Sequence, residues 1–364
     1  MSKYIVLDIV FHASSLNYDQ GSGNYQELKK ITKWDGKQYV LVSRYALRYS
    51  ILEWASKICG WKLASKDGLG LDKSVVQIGE KLVKNGKFLE YPEFDLFGFM
   101  STAKKKSKGE GENSGEGESE ASEKNGVTIT RTSPVKISHA VSLTPYNFDS
   151  HFSANLGVMK RAGGTGSNPI NIEEKKDFYI YNVTIDLDRV GKIDEGYSKI
   201  DDKEEGEKIG NKEEEKGKKK RITQIDDKEK EEMITQLIES IFTLKREIKG
   251  RMEDLSPWLV VAGLYDKEKY DSYTDRIELS KTHSYKIITK RKETTDKEGR
   301  KIEEIENETI EKQSPKFVID IGDFEEMTQE SLLEKIKKFI ENGENGASKP
   351  IVFKTKFVEV SNQK

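Results

Sequence analysis

Arg44 and Arg48 stand one helical turn apart in VSRYALRYSI (42–51), directly behind Ser43, a natural helix N-cap. Between residues 29 and 48 the basic side chains are Lys29, Lys30, Lys33, Lys37, Arg44 and Arg48, against a single acid, Asp35. Cations at a helix start oppose the macrodipole, and the backbone N–H groups there favour an anion, so a bound phosphate would stabilise both. Upstream, Asn17, Tyr18 and Tyr25 add an amide and aromatic rings of the kinds that contact sugars and stack on single-stranded bases. The chemistry that suits these types and spacings is a grip on an RNA backbone. A lysine-bearing loop followed by an exposed arginine pair is equally the pattern of a solvated surface, and the residues alone leave both readings open.

Other chemistries find less support. With one cysteine, Cys59, and neither HxxxH nor HExxH around its four histidines, the chain is expected to hold no metal and no other cofactor. His12 and His139 lie in segments that could face a binding surface, whereas His151 and His283 have no catalytic context. GGTGSNP (163–169) lacks the Lys-Ser/Thr ending of a phosphate-cradling loop and reads as a flexible connector.

The elements that must position these residues follow from pattern. Residues 4–12 alternate, with Ile5, Leu7, Ile9 and Phe11 forming a core face opposite Tyr4, Val6, Asp8, Val10 and His12. From Ser43, Ala46, Leu47, Ser50, Ile51, Trp54, Ala55 and Ile58 recur at helical spacing. DLFGFM (95–100) is an apolar landmark packed by Phe97 and Phe99, and with the β-branched run 127–143 it predicts the arms of a long hairpin. The tip of that hairpin, 101–126, lacks aromatic and branched aliphatic residues and is expected to be disordered, as is the mixed-charge run 201–221. Residues 177–190 predict a second core strand, 229–248 an amphipathic helix and 256–265 a third strand. Beyond these come a hairpin around 294–301, a strand at 317–321, a helix near 328–342 and a last strand near 351–360. With 34% apolar and 35% charged residues, the charges gathered in runs read as insertions in one core. The net charge of −2 averages over the chain and does not speak against a local basic site. MSKYIVLDIVF holds no long apolar stretch, so neither a membrane span nor a membrane partner is expected, and the expected location is cytoplasmic. The order of elements predicts an α+β fold, an RRM/ferredoxin-like sheet with inflated loops.

At this point the chain resembles a known family: the backbone subunits of type I CRISPR surveillance complexes (Cascade), the CRISPR-associated seven family, nearest its type I-B DevR-like branch. The residues that carry the resemblance are SSLNYD (14–19), VSRYALRYSI (42–51), DLFGFM (95–100), RTSPVKISHAVSL (131–143) with NFDSHF (147–152), DFYIYNVTIDLDRVG (177–191) and SPWLVVAGLYD (256–266), in that order. The resemblance implies a non-catalytic protein that polymerises along guide RNA (crRNA) as a helical filament, each copy a hand with an RRM-like palm, fingers and a thumb. It divides the chain into the first half of the palm (1–58), a finger insertion (59–94), a thumb hairpin (95–150), the second half of the palm (151–266) and a C-terminal extension that completes or braces it (267–364). It assigns guide phosphates to Ser43, Arg44 and Arg48 with Asn17, Lys29 and Lys30, and passes Arg131, Thr132, Ser133 and His139 over the guide. Lys104, Lys105, Lys106 and Lys108 on the thumb tip would meet target DNA without reading sequence. Implied partners are further copies of the chain, a large subunit, an end-cap subunit, a repeat-processing endonuclease and the recruited helicase-nuclease. Where many relatives carry an arginine after the loop asparagine this chain has Tyr18, so stacking replaces a phosphate contact there. Two other readings stand beside this one: a metal-dependent target-RNA nuclease of the type III kind acting through Asp19, and an interaction or regulatory module without nucleic acid.

Overall fold

The computed structural model describes residues 3–21, 23–63, 86–103, 127–161, 163–164, 169–193, 223–266, 269–280, 291–295, 301–305, 315–342 and 346–362. Most of the 59–94 insertion, the hairpin tip with Lys104, Lys105, Lys106 and Lys108, and the 201–221 run lie outside them. The fold is α+β. Its main sheet is built from β1 (Tyr4–Ala13), β2 (Lys30–Thr32), β3 (Gln38–Val42), β4 (Val135–Ile137), β5 (Ala140–Ser142), β6 (Asp177–Asp186), β7 (Leu259–Tyr265), β8 (Glu325–Met327) and β9 (Ile351–Lys354). The order is β8-β9-β7-β1-β6-β5-β3-β2, with β4 also on β6, and every pair except β8–β9 is antiparallel.

Helices α1 (Arg44–Cys59), α3 (Asp227–Phe242) and α4 (Gln329–Asn342) cover one face, while α2 (Pro92–Phe97) leads into the hairpin. The predicted face of β1, Ile5, Leu7, Ile9 and Phe11, shares one core with Leu47 and Ile51 of α1, Leu237 and Ile241 of α3, and Ile336 and Phe339 of α4. Burial of such branched and aromatic side chains, about 1.5–3 kcal/mol each, is what holds the helices on the sheet. Ile58, expected in that stripe, instead lies exposed in the last turn of the helix.

The opposite face of β1 is not a surface. Val10 packs with Ile180, Leu259 and Val261 against Phe317, Ile319 and Val358. Phe317 and Ile319 belong to a second sheet, Ile277–Leu279, Lys316–Ile319 and Glu359–Asn362, laid over the first, and Val358 directly precedes its last strand. Burying this face puts the carboxylate of Asp8 in the interior, where it must be hydrogen-bonded. It accepts from Tyr273 N–H (2.7 Å), Thr274 Oγ1 (2.7 Å), Ser272 Oγ (2.9 Å) and Asn182 Nδ2 (2.8 Å), tying the 272–274 segment to the centre of the sheet.

Two element boundaries differ from expectation. The helix predicted over 229–248 stops at Phe242, and Lys245–Ile248 pairs with Arg251–Asp254 as a hairpin. Its turn, Lys249-Gly250, has φ of 48° and 75°, the doubly positive turn whose twist matches flanking strands. The last strand is two strands, β9 in the main sheet and Glu359–Asn362 in the second. The hairpin between DLFGFM and 127–131 forms as expected, from Phe99 opposite Arg131 to Ala103 opposite Val127. Strands 291–295 and 301–305 likewise pair antiparallel. Among the described residues no helix is long and apolar enough to cross a membrane.

Candidate nucleic-acid interface

Strand β3 delivers the chain to Ser43, which has the extended backbone of an N-cap (φ −64°, ψ 145°) and accepts from Ala46 N–H at 3.2 Å. Asn17 Oδ1 accepts from Ser43 N–H at 2.8 Å, and His139 Nδ1 accepts from Arg44 N–H at 3.0 Å. A neutral ring accepting through Nδ1 carries its proton on Nε2. Asn17, Ser43 and His139 thus set the start of α1, and two of its first N–H groups are already engaged. Anion binding here falls to side chains.

Those side chains surround an open cleft of roughly 300 Å³ lined by Arg44, Tyr45, Arg48, Phe97, Ser133, Val135, Lys136 and Ile137. Arg44 is exposed; its guanidinium lies 5.0 Å from the Tyr45 ring centroid and donates to the Tyr45 hydroxyl at 3.0 Å. That hydrogen bond and the arginine's charge lower the Tyr45 phenol below its ordinary range. Arg48 is half-buried, 5.1 Å from the Phe97 ring centroid, with Nη1 donating to the Phe97 carbonyl at 3.4 Å. Burial lowers its guanidinium, which a second anion in the cleft would offset. Ser133 donates to the Leu96 carbonyl at 3.0 Å and so ties the 133–137 side of the cleft to the DLFGFM segment. Cations around an apolar floor of Phe97, Val135 and Ile137 suit a phosphate carried next to a flat ring.

The other expected contacts are spread elsewhere. Lys29 pairs loosely with Asp19 at 3.7 Å near the surface. Lys30 turns inward to Glu173 Oε2 at 2.6 Å, with Nζ 4.6 Å from the Tyr146 ring centroid. Glu173 also accepts from Leu28 N–H (2.8 Å) and Tyr25 OH (2.9 Å). Burial alone would raise its carboxyl; the bonds from Lys30, Leu28 and Tyr25 override this and hold it below the ordinary glutamate range. Tyr18 donates to Glu174 at 3.0 Å while Lys249 Nζ sits 3.5 Å from its ring centroid, so one ring face is covered.

Arg131 departs furthest from expectation. At 2% exposure it lies inside the hairpin base, paired with the Asp95 carboxylate. It also donates to the carbonyls of Asp95 (3.0 Å), Lys192 (2.7 Å) and Arg189 (3.1 Å). Its role is to fasten the hairpin to the body. Gly98, at φ 69°, lies so close beneath it that a Cβ would overlap the Arg131 carbonyl oxygen. Thr132 is exposed beside it, its carbonyl accepting from Arg189 Nη2 at 2.9 Å.

The structure therefore gathers Arg44, Arg48 and Ser133 at one cleft, with Ser43, Asn17 and His139 behind its rim, and leaves Lys29, Lys30, Tyr18 and Arg131 outside it. Tyr45 and Lys136 line the cleft and were missed by sequence reasoning; Tyr49 is 63% exposed on the same helix. The signal for the tyrosines was present: Arg-Tyr occurs at 44–45 and again at 48–49.

An antiparallel sheet backed by helices, with a cation-rimmed cleft at the head of the first helix, defines an α+β protein suited to an anionic ligand. Residues 5–271 match the family described as CRISPR-associated negative auto-regulator DevR/Csa2, and the chain belongs to that family. No curated protein matches it. Similar solved structures include a chain of a CRISPR RNA-guided surveillance complex, 11% identical, covering 75% of this chain and 73% of that chain at a TM-score of 0.39. A second, from such a complex in a pre-nicking state, is 9% identical, covers 78% and 82%, and has a TM-score of 0.43.

Proposed function

We propose that this protein is a non-catalytic backbone subunit of a type I CRISPR surveillance complex that binds guide RNA and presents it for pairing with a target DNA strand. The observation that carries the reading is the cleft: in a chain of a CRISPR-associated family, Arg44, Arg48 and Lys136 converge on one surface from two distant segments. Cations at a surface that no base-specific geometry restricts suit a ligand read by its backbone, with sequence left to guide pairing.

The sheet supports a palm of RRM/ferredoxin-like type. Taking β1, α1, β4 with β5, β6, α3 and β7 as a βαββαβ unit, the strands lie in the order fourth, first, third, second, as that topology requires. In this reading the guide does not cross the sheet face, which the second sheet covers, but runs past the head of α1. Arg44, Arg48 and Lys136 hold phosphates, and Tyr45 offers a ring. Ser133, His139, Asn17 and Ser43 keep those groups in place. The 99–131 hairpin, fastened by Arg131, is the thumb reaching toward a neighbouring copy and, through Lys104, Lys105, Lys106 and Lys108, toward target DNA. The other subunits of the complex join around that filament.

Expression with and without a CRISPR repeat-spacer transcript tests the proposal. The purified chain should carry that transcript, with an elevated 260 nm absorbance, and assemble in multiple copies along it. A chain that purifies free of RNA in both cases and ignores the added transcript at low salt contradicts the reading.

A further inference from the structure

The tip of the β2–β3 hairpin, Lys33-Trp34-Asp35-Gly36-Lys37, displays a tryptophan that is 98% exposed. An indole left almost wholly in water forgoes a large burial energy, so its placement calls for a reason. The turn that carries it is firmly built. Gly36 N–H donates to the Lys33 carbonyl at 3.0 Å, and Lys33 N–H to the Lys37 carbonyl at 3.1 Å. Gly36 takes φ 73°. Asp35 uses both carboxylate oxygens, accepting from Lys37 N–H at 3.0 Å and the Tyr39 hydroxyl at 2.8 Å. Lys33 folds over the Tyr39 ring, its Nζ 4.2 Å from the centroid. The backbone of the turn and the side chains of Lys33 and Asp35 are fastened, and the indole is held out from them.

The turn also has an address. Strand β2 is the outer edge of the main sheet, and β3 runs from the tip directly to Ser43 and the arginine cleft. Five residues of strand span about 17 Å, so the tip and the cleft are two ends of one short path. Lys37 and Lys33 stand at its far end and Arg44 at its near end. A flat ring flanked by cations, a few nucleotides from a phosphate grip, has the composition of a base-stacking platform for a single strand. A protein-docking knob would instead sit among further apolar side chains, and the turn's other members are lysine, aspartate and glycine.

We infer that Trp34 is a stacking site for an unpaired nucleobase of the strand whose backbone occupies the Arg44/Arg48 cleft, an inference that rests on the proposed RNA binding. The full chain is titrated with oligoadenylate RNA and with an abasic ribose-phosphate oligomer of equal length, following tryptophan fluorescence and affinity. Wild type, Trp34→Phe, Trp34→Ala and the Arg44→Ala/Arg48→Ala pair are compared. Stacking predicts quenching by oligoadenylate that Trp34→Phe abolishes while keeping affinity within about twofold. Trp34→Ala should weaken oligoadenylate about tenfold and leave the abasic oligomer unchanged. The inference is overturned if Trp34→Ala binds both oligomers like wild type while the arginine pair weakens both. It is equally overturned if Trp34→Ala alters only self-association in sedimentation, which would make the tip a contact between copies. If wild type binds neither oligomer, the proposed function itself falls. Because Trp34 touches solvent on nearly every side, its variants should melt with the wild type.

Discussion

Arg131 and Arg44 differ in how completely the fold uses them. At the hairpin base, Arg131 is surrounded by the Asp95 carboxylate and three backbone carbonyls. At the cleft, Arg44 is exposed and leans on the ring and hydroxyl of Tyr45, a neutral neighbour. The first cation is consumed by folding; the second remains available to a ligand. The same contrast separates Lys30, committed to Glu173, from Lys136 at the cleft wall. A basic residue becomes a candidate for phosphate when its surroundings leave acceptors wanting, and neither its charge nor its neighbours in sequence reveal that.

The sharpest way to break this comparison is Asp95→Ala. Removing one member of a buried pair strands the other, so unfolding in urea should show a loss of about 3–5 kcal/mol. The orphaned donors would include Gly191 N–H, which Asp95 accepts at 2.8 Å. A loss below about 1 kcal/mol would mean Arg131 is not spoken for. Asp8→Ala should come next, at about 2–3 kcal/mol, because it leaves the buried Tyr273 N–H and three partly buried side-chain donors without their acceptor. Limited proteolysis should then cut within 269–280 sooner than in wild type.

Glu173 sharpens the contrast through pH. Its folded carboxyl is lowered, so its contribution to stability is complete above the ordinary glutamate value of 4.5 and disappears as pH falls through the lowered one. Glu173→Gln should therefore lower Tm at neutral pH and flatten the acid limb of the Tm–pH curve; an unchanged limb would show the Lys30–Glu173 pair to be idle. Smallest of all, Arg44→Ala should change stability by no more than about 0.5 kcal/mol in the same urea titration. A larger loss would place Arg44 with Arg131 as a folding residue.

How much of this was legible in the sequence follows the range of the interactions. The alternation of β1, the cap at Ser43 and the stripe through Leu47, Ile51 and Ala55 are local patterns, and the structure reproduces them. The burial of Asp8 is not local: its partners are at 182 and 272–274, and on a strand's second face an aspartate reads as solvated. Arg131 misleads in the same way, since RTSP looks like an exposed turn until Asp95, Arg189 and Lys192 close around it. Leu244 and Ile248 fit a helical stripe as well as a hairpin, and the positive φ of Lys249-Gly250 decided between them. At the cleft, the arginines were found by charge and Tyr45 was legible beside Arg44, whereas Lys136 needed the fold to bring it to them.

The central claim is that Arg44 and Arg48 hold phosphates while the buried cations do not. The most direct test is the salt dependence of guide-RNA binding by wild type and by Arg44→Ala/Arg48→Ala. Each phosphate contact on a single strand contributes about 0.7 to the slope of log K against log salt, so the double variant should bind more weakly with a slope shallower by about 1.4. An unchanged affinity and slope would contradict the account and return the arginine pair to the status of a solvated surface.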